Sequence, residues 1–268
     1  MKHPKPDGPQ ILFCDIETSP ILAYVWGLRD QNIALNQIKE DWSVLSWAAK
    51  WKGGREIFYQ DVRNEKNLRN DKKILKGIHS LLDMADVVVW HYGKNFDRKK
   101  LNARFIIQNM KPPSSYRQLD TKEISSREFG FTSNKLEYIS DKSGNKKSQH
   151  KKFPGMELWT ECMNGNLEAF KEMEKYNKQD IVALEQSYNW LQAWDTKPIN
   201  FNVFDGETIT NKCNCGSSNF ARWGWRYTNQ GKFQRYKCQD CGADHVDRGG
   251  SNNALTKEKR SGLKRVQT

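Results

Sequence analysis

The sequence predicts an α/β domain followed by a smaller β module. Two observations predict it. Up to about residue 195, short apolar or β-branched runs alternate with stretches of helical period. Beyond that point, four of the six cysteines crowd into residues 213–241 as two close pairs. A chain of 268 residues is long enough for one sizeable core plus one smaller unit.

After a polar stretch, residues 1–10, the run ILFCDIE (11–17) reads as a buried strand that ends in acids. SVLSWAAKW (43–51) and EIFYQDV (56–62) read as two more strands, separated by the turn signal Lys52-Gly53-Gly54. A helix is expected over 66–83, with Leu68, Ile74, Leu75, Ile78, Leu81 and Leu82 on its apolar face. ADVVVWH (85–91) is a β-branched strand, and residues 95–110 a helix stopped by Pro112-Pro113. Residues 118–140 read as short helices with a connecting turn, and the lysine-rich stretch 141–152 as an exposed loop. A long amphipathic helix is expected over 166–194, with Leu167, Phe170, Met173, Ile181, Leu184, Tyr188 and Leu191 near one face. The domain expectation is 11–195, a linker at 196–211, a cysteine module at 212–248 and a basic, unstructured tail at 249–268.

The formal net charge is +12. Residues 198–268 carry 12 Lys and Arg against 6 Asp and Glu, the same +6 excess that the first 197 residues spread over a longer chain. A surface so biased favours a polyanion such as nucleic acid, although a merely solubilising surface has the same composition. The apolar share, Gly included, is about 40%, enough to exclude wholesale disorder. No run approaches the ~18 apolar residues of a membrane span, and MKHPKPDGPQ lacks the apolar core of a signal peptide. The expectation is a cytoplasmic protein with no membrane partner.

Asp15 and Glu17 stand two apart on a strand and so point to the same face. Asp97, in HYGKNFD, follows a buried strand and opens a helix; a capping role, with Asn95 as N-cap, is the plainer alternative. Tyr176 and Asp180 in YNKQD are four apart on one helix face, where an ordinary helix surface is the alternative. Together the four acids are more specific than any one of them. Convergent carboxylates suit hard ions such as Mg²⁺ or Mn²⁺, and a pair of ions stabilises the attacking and leaving oxygens of phosphodiester cleavage. The Tyr176 phenol, with an ordinary pKa of about 10, suits orienting the attacking water better than acting as a full base.

FCDIET, WHYGKNFD and YNKQD resemble the three motifs of the DEDD exonuclease superfamily, DnaQ-like 3′–5′ exonucleases with a ribonuclease H-like fold. The Tyr four residues before the last Asp is similar to the tyrosine branch of that family; the histidine branch would need His at 175, which is Lys here. The resemblance covers roughly residues 10–195 and implies a mixed sheet flanked by helices. It also implies Asp15, Glu17, Asp97 and Asp180 as ligands of two Mg²⁺ or Mn²⁺ ions and Tyr176 as the water-orienting residue. LDT (119–121) and GMELW (155–159) are similar to segments of ribonuclease H-like exonucleases from phage and bacterial genomes, so a phage origin is also expected. In one departure, Tyr92 stands directly after His91 where relatives often carry Asn. His91 itself is read as packed or hydrogen-bonded rather than catalytic.

Cys213-x-Cys215 and Cys238-x-x-Cys241, with Gly216 and Gly242 directly after each pair, supply four thiolates for one structural Zn²⁺ in a zinc-ribbon module. His245 is a minor alternative ligand, while Cys14 and Cys162 sit in apolar runs as buried small hydrophobes. Residues 219–237 read as a hairpin turning at Asn229-Gln230-Gly231. It interleaves the cations Arg222, Arg226, Lys232, Arg235 and Lys237 with Trp223, Trp225, Tyr227, Phe233 and Tyr236. Of these, Arg222, Arg226, Arg235 and Lys237 are the expected nucleic-acid contacts; the alternative is that alternate aromatics fill the module's small core. The expected activity is a metal-dependent 3′–5′ exonuclease acting on DNA with a free 3′ end, alongside a replication or repair protein. An RNA exonuclease or a structure-specific endonuclease would use the same site, and a non-catalytic nucleic-acid-binding or recruitment protein is the reading from another class.

Overall fold

The computed structural model describes residues 8–144, 152–204, 212–228 and 231–246. Most of the lysine-rich loop, the second part of the linker, Asn229-Gln230 of the hairpin turn and the tail lie outside the described residues. The chain divides into two compact units, Met1–Leu191 and Gln192–Thr268.

The first unit is built on a five-stranded sheet: β1 (Ile11–Thr18), β4 (Val44–Trp51), β5 (Phe58–Asp61), β6 (Val87–Trp90) and β7 (Arg117–Asp120), in the order β5-β4-β1-β6-β7. β1 pairs antiparallel with β4 and β4 antiparallel with β5, while β1–β6 and β6–β7 are parallel, so the sheet is mixed as expected. The helices are α1 (Lys72–Met84), α2 (Asp97–Ile107), α3 (Thr121–Glu128), α4 (Leu136–Lys142), α5 (Glu157–Met163) and α6 (Leu167–Leu191). They cover both faces of the sheet. On β1, Phe13 meets Tyr188 of α6 edge to face, and Ser46, opposite Glu17 on β4, donates to Asn177 of α6. The other face carries Trp47, opposite Ile16, whose indole N–H donates to the Ile74 carbonyl of α1. The period-2 pattern of β1 therefore sends Asp15 and Glu17 to the α6 side.

Several boundaries differ from the sequence expectation for local reasons. The helix expected from residue 66 starts at Lys72, because Asn67 closes a turn by accepting from the Arg69 N–H and Asp71 turns its carboxylate inward. There Asp71 accepts from Arg104 Nε and Nη2 at 2.6 and 2.9 Å and from the Val44 N–H at 3.0 Å, tying α1, α2 and β4 together. α2 ends before the prolines: Asn109 is left-handed (φ 55°) and the Met110 N–H reaches back to the Phe105 carbonyl. Residues 117–120, expected as helix from 118, form the edge strand β7, in which Leu119 is the buried apolar residue. Between β1 and β4, the short strands β2 (Leu22–Ala23) and β3 (Ile38–Glu40) pair with each other. Their base is held by Arg69, which donates to the Pro20 and Asp41 carbonyls and pairs with Glu40. Within the segment expected to be a linker, residues Phe201–Phe204 make a 3₁₀ turn with Phe201 buried.

The second unit contains a three-stranded antiparallel sheet, β8 (Phe220–Thr228), β9 (Gly231–Cys238) and β10 (Asp244–Val246), in the order β10-β9-β8. No helix among the described residues is long and apolar enough to cross a membrane.

Candidate active site

Asp15 and Glu17 sit where β1 changes its surroundings. The parallel pairing with β6 runs over Ile11–Phe13, opposite Val87–Val89, whereas the antiparallel pairing with β4 continues to Thr18. Past Phe13 one edge of β1 is open to other elements. The Ile16 N–H, between the two acids, donates to Asp97 Oδ1 at 3.1 Å. Asp97 is the first residue of α2 and makes no N-cap bond; the residue before it, Phe96, occupies the cap, and Asn95 lies in the preceding turn with its N–H on the Tyr92 carbonyl. Asn95 is thus not the N-cap, and the Asp97 carboxylate reaches β1 through Oδ1 while also accepting from its own backbone N–H.

The turn that carries Asp97 is tightly specified. Tyr92 is left-handed (φ 70°), a conformation that Asn adopts readily and an aromatic residue adopts at a cost. A Cβ on Gly93 would come within 2.5 Å of the Trp90 side chain, so this position has no room for a side chain. Asp120, at the end of β7, accepts from the Tyr92 and Lys94 N–H groups and caps α3 through Lys122 N–H. His91 bridges Thr121 Oγ1 and the Asn134 carbonyl, each at 2.9 Å, in the hydrogen-bonded role expected of it.

From α6, Asp180 is 4% exposed and completes the group: carboxylate oxygens of Asp15, Glu17 and Asp180 all lie within 4.8 Å of one another. Asp97 stands beside this group, through the Ile16 N–H, rather than within it. Two residues that sequence reasoning did not assign to the site hold the acids in place. Asn177 Nδ2 donates to Asp15 Oδ2 at 2.6 Å, and the Trp159 indole N–H donates to Glu17 Oε2 at 3.2 Å. Asn177 was visible as a polar residue one turn from Asp180, and Trp159 lies in the GMELW segment; neither signal said which acid each would meet. The ring of Tyr176 packs edge-on against Trp159, with centroids 6.1 Å apart, and leans on the core.

Burial dominates the electrostatics. It pushes the Asp97 carboxyl up to about 7, with the charge of Asp120 adding to the rise and the Ile16 N–H opposing it. Burial likewise raises Asp120 and the thiols of Cys14 and Cys162, which are buried in the core as expected. Three carboxylates offering hard oxygens to a common point fit Mg²⁺ or Mn²⁺.

The second unit holds a different donor set. The sulfurs of Cys213, Cys215, Cys238 and Cys241 lie within 4.8 Å of one another, and all four cysteines are free thiols. Each pair is folded by a tight turn: Gly216 N–H donates to the Cys213 carbonyl and Gly242 N–H to that of Cys238, both glycines at positive φ. Against the penalty of burial, the N–H groups of Cys241 and Asp240 hold the Cys238 thiol down at about 7. Four soft donors converging in this way fit a structural Zn²⁺. His245 Nε2 lies 3.2 Å from Cys213 Sγ, and its ring stands edge-on to Phe220. Of the expected nucleic-acid contacts, Arg222 and Arg226 are exposed on β8 and Lys237 lies over Trp223, but Arg235 pairs with Asp244 of β10 at 3.6 Å. That ion pair is partly exposed and links β9 to β10.

A search of curated proteins finds no match. Among solved structures, the chain is similar to the family B DNA polymerase of the hyperthermophilic archaeon Pyrobaculum calidifontis, with 11% identity and a TM-score of 0.46. The match covers 72% of this chain and 26% of the polymerase, so the chain spans about a quarter of that protein's length. A family model described as RNase_H superfamily matches residues 12–192, a segment that runs from β1 through the Asp97 turn to the end of α6. The chain belongs to the RNase H superfamily.

Proposed function

We propose that this protein is a divalent-metal-dependent 3′–5′ exonuclease acting on DNA. The observation that carries this reading is the convergence of Asp15, Glu17 and Asp180 within 4.8 Å, with Tyr176 one helical turn before Asp180. Clustered carboxylates repel a polyanion unless cations stand between them, so a simple binding module gains nothing from this arrangement. The 3′–5′ direction rests on the resemblance of the three motifs, and DNA on the basic surface together with that resemblance.

The roles follow from the contacts. Asp15, Glu17 and Asp180, with Asp97 beside them, would hold two Mg²⁺ or Mn²⁺ ions, which supply charge stabilisation for the attacking and leaving oxygens. Asn177 fixes the plane of the Asp15 carboxylate, and its own amide oxygen is fixed by Ser46 at 3.2 Å. Trp159 orients Glu17 and, through its ring, limits the freedom of Tyr176, whose hydroxyl would orient the attacking water. The four cysteines would hold one Zn²⁺ and so close a module of residues 212–248, joined by the 196–211 linker to an exonuclease domain of 11–195.

The test is digestion of end-labelled DNA and RNA with Mg²⁺ or Mn²⁺, comparing the parent with Asp15→Ala and Asp180→Ala. Stepwise shortening of DNA from the 3′ end, lost in both variants, is expected. Equal loss of label in all three proteins, or cutting at internal positions, refutes the reading.

A further inference from the structure

The hairpin of the second unit is not explained by holding a metal. Seven consecutive residues of β8, Arg222–Thr228, are exposed, including Trp223 at 52%, Trp225 at 38% and Tyr227 at 71%. The buried positions of this unit's sheet and knuckles are Cys213, Cys238 and Gln234 instead. Three exposed aromatic rings on one strand forfeit apolar burial, and a small module has little to spare.

A bulge sorts these rings onto two faces. Arg222 lies opposite Tyr236 but Trp225 lies opposite Gln234, so β8 carries one extra residue, with Gly224 at φ 75°. Gln234 pins the bulge by donating to the Gly224 carbonyl at 2.7 Å. Without it, strict alternation would put Trp223, Trp225 and Tyr227 side by side. With it, Trp225 and Tyr227 share a face with Arg222, Lys232 and Tyr236, while Trp223 turns to the face of Lys237. The contacts agree: Lys232 Nζ is 4.2 Å from the centroid of Trp225 and 5.7 Å from that of Tyr227, and Lys237 Nζ is 5.1 Å from that of Trp223.

We infer that the face bearing Arg222, Trp225, Tyr227 and Lys232 is a binding site for single-stranded nucleic acid, with the two rings stacking on unpaired bases and the two cations meeting phosphates. Charge selects a polyanion: the described part of the unit from Lys212 onward has Lys or Arg at 212, 222, 226, 232, 235 and 237 against Asp240 and Asp244. Spacing selects the single strand. Residues two apart on a strand are about 6.7 Å apart, roughly twice the ~3.4 Å per nucleotide of a stacked duplex strand. Each ring therefore takes a base from a stretched strand, and a duplex offers no free base face. Lys232, poised over the Trp225 and Tyr227 rings, keeps cationic charge where the backbone would run.

The test uses the full chain carrying Asp180→Ala, so that the probe survives, and the fluorescence anisotropy of a labelled oligothymidylate and of a labelled duplex. Trp225→Leu and Tyr227→Leu, which keep apolar bulk but remove the flat π-face, are each expected to weaken single-strand binding about tenfold. Trp225→Phe is expected to restore most of it, with zinc content unchanged throughout. Arg222→Ala should lower the slope of log affinity against log salt by about one contact. Undiminished single-strand affinity in the Leu variants, equal loss in Trp225→Phe, or equal loss for the duplex overturns the inference. Binding is read in a chain disabled at the acidic site, so a parent protein that binds but never cuts would refute the exonuclease reading alone.

Discussion

Replacing Asp97 with Asn should stabilise the metal-free protein while disabling it. Asp97 is 5% exposed, and burial lifts its carboxyl from the ordinary 3.8 to about 7. A raised carboxyl contributes stability that is fully present below pH 3.8 and is lost as pH rises through 7. The shift of about three units, at about 1.4 kcal/mol each, sets the full penalty of a charged Asp97 near 4 kcal/mol. Asn keeps an oxygen to accept the Ile16 N–H and carries no charge at any pH. In urea unfolding without added divalent ion, zinc retained, Asp97→Asn should therefore gain about 4 kcal/mol over the parent at pH 8 and less than half of that, about 1.6 kcal/mol, at pH 5, where the unfolded carboxyl has already ionised. Mg²⁺ at about 100 times its Kd should return about 2.7 kcal/mol to the parent, and much less to the variant. Nuclease activity should fall with the gain. An Asp97→Asn protein less stable than the parent at pH 8, or a difference that does not grow from pH 5 to pH 8, would refute the reasoning.

Tyr176→Phe keeps the ring against Trp159 and removes the hydroxyl, so Tm and KM should hold while kcat falls about 100-fold; unchanged turnover would remove the water-orienting role. Asp71→Ala strands the Arg104 guanidinium beneath β4 and should cost about 3–5 kcal/mol by urea unfolding. A loss under about 1 kcal/mol would show that the strut carries little. Cys238→Ser should release zinc and strip hydrogen-exchange protection from β8–β10 while α6 and the five-stranded sheet stay protected, because the units are separately compact. Loss of protection in both units would show that they unfold together.

What the sequence showed was whatever a local period encodes. β1, β4, β6 and α6 lie close to where their apolar patterns put them, because each buries a continuous stripe. β7 escaped because Arg117-Gln118-Leu119-Asp120 has one apolar residue in four; it is a strand because β6 offers it a parallel edge, which no window of sequence displays. The site divides in the same way. Asp15 with Glu17, and Tyr176 with Asp180, follow from strand and helix periods. Asn177 on Asp15 and Trp159 on Glu17 span 162 and 142 residues, so their pairing exists only after folding. The bulge at Gly224 was hidden by a perfect Trp-x-Trp-x-Tyr alternation, which promised one aromatic face where the structure has two.

The acidic site depends on β1 being a different strand at its two ends. From Ile11 to Phe13 it is paired on both sides and buried, which fixes its direction and its twist. From Cys14 onward β4 still holds one edge, but β6 has ended at Trp90 and the chain turns away through left-handed Tyr92. The Ile16 N–H on that open edge would be costly to bury unpaired, and Asp97 takes it. One strand ending four residues before its neighbour thus brings a third acid to β1, while the face period brings Asp15 and Glu17 under α6 and Asp180. If β6 continued in register to the end of β1, the ladder would satisfy Ile16 and push Asp97 away. The early end of the parallel pairing is therefore what makes an acidic site possible here, and the strain at Tyr92 follows from the sharp turn it demands.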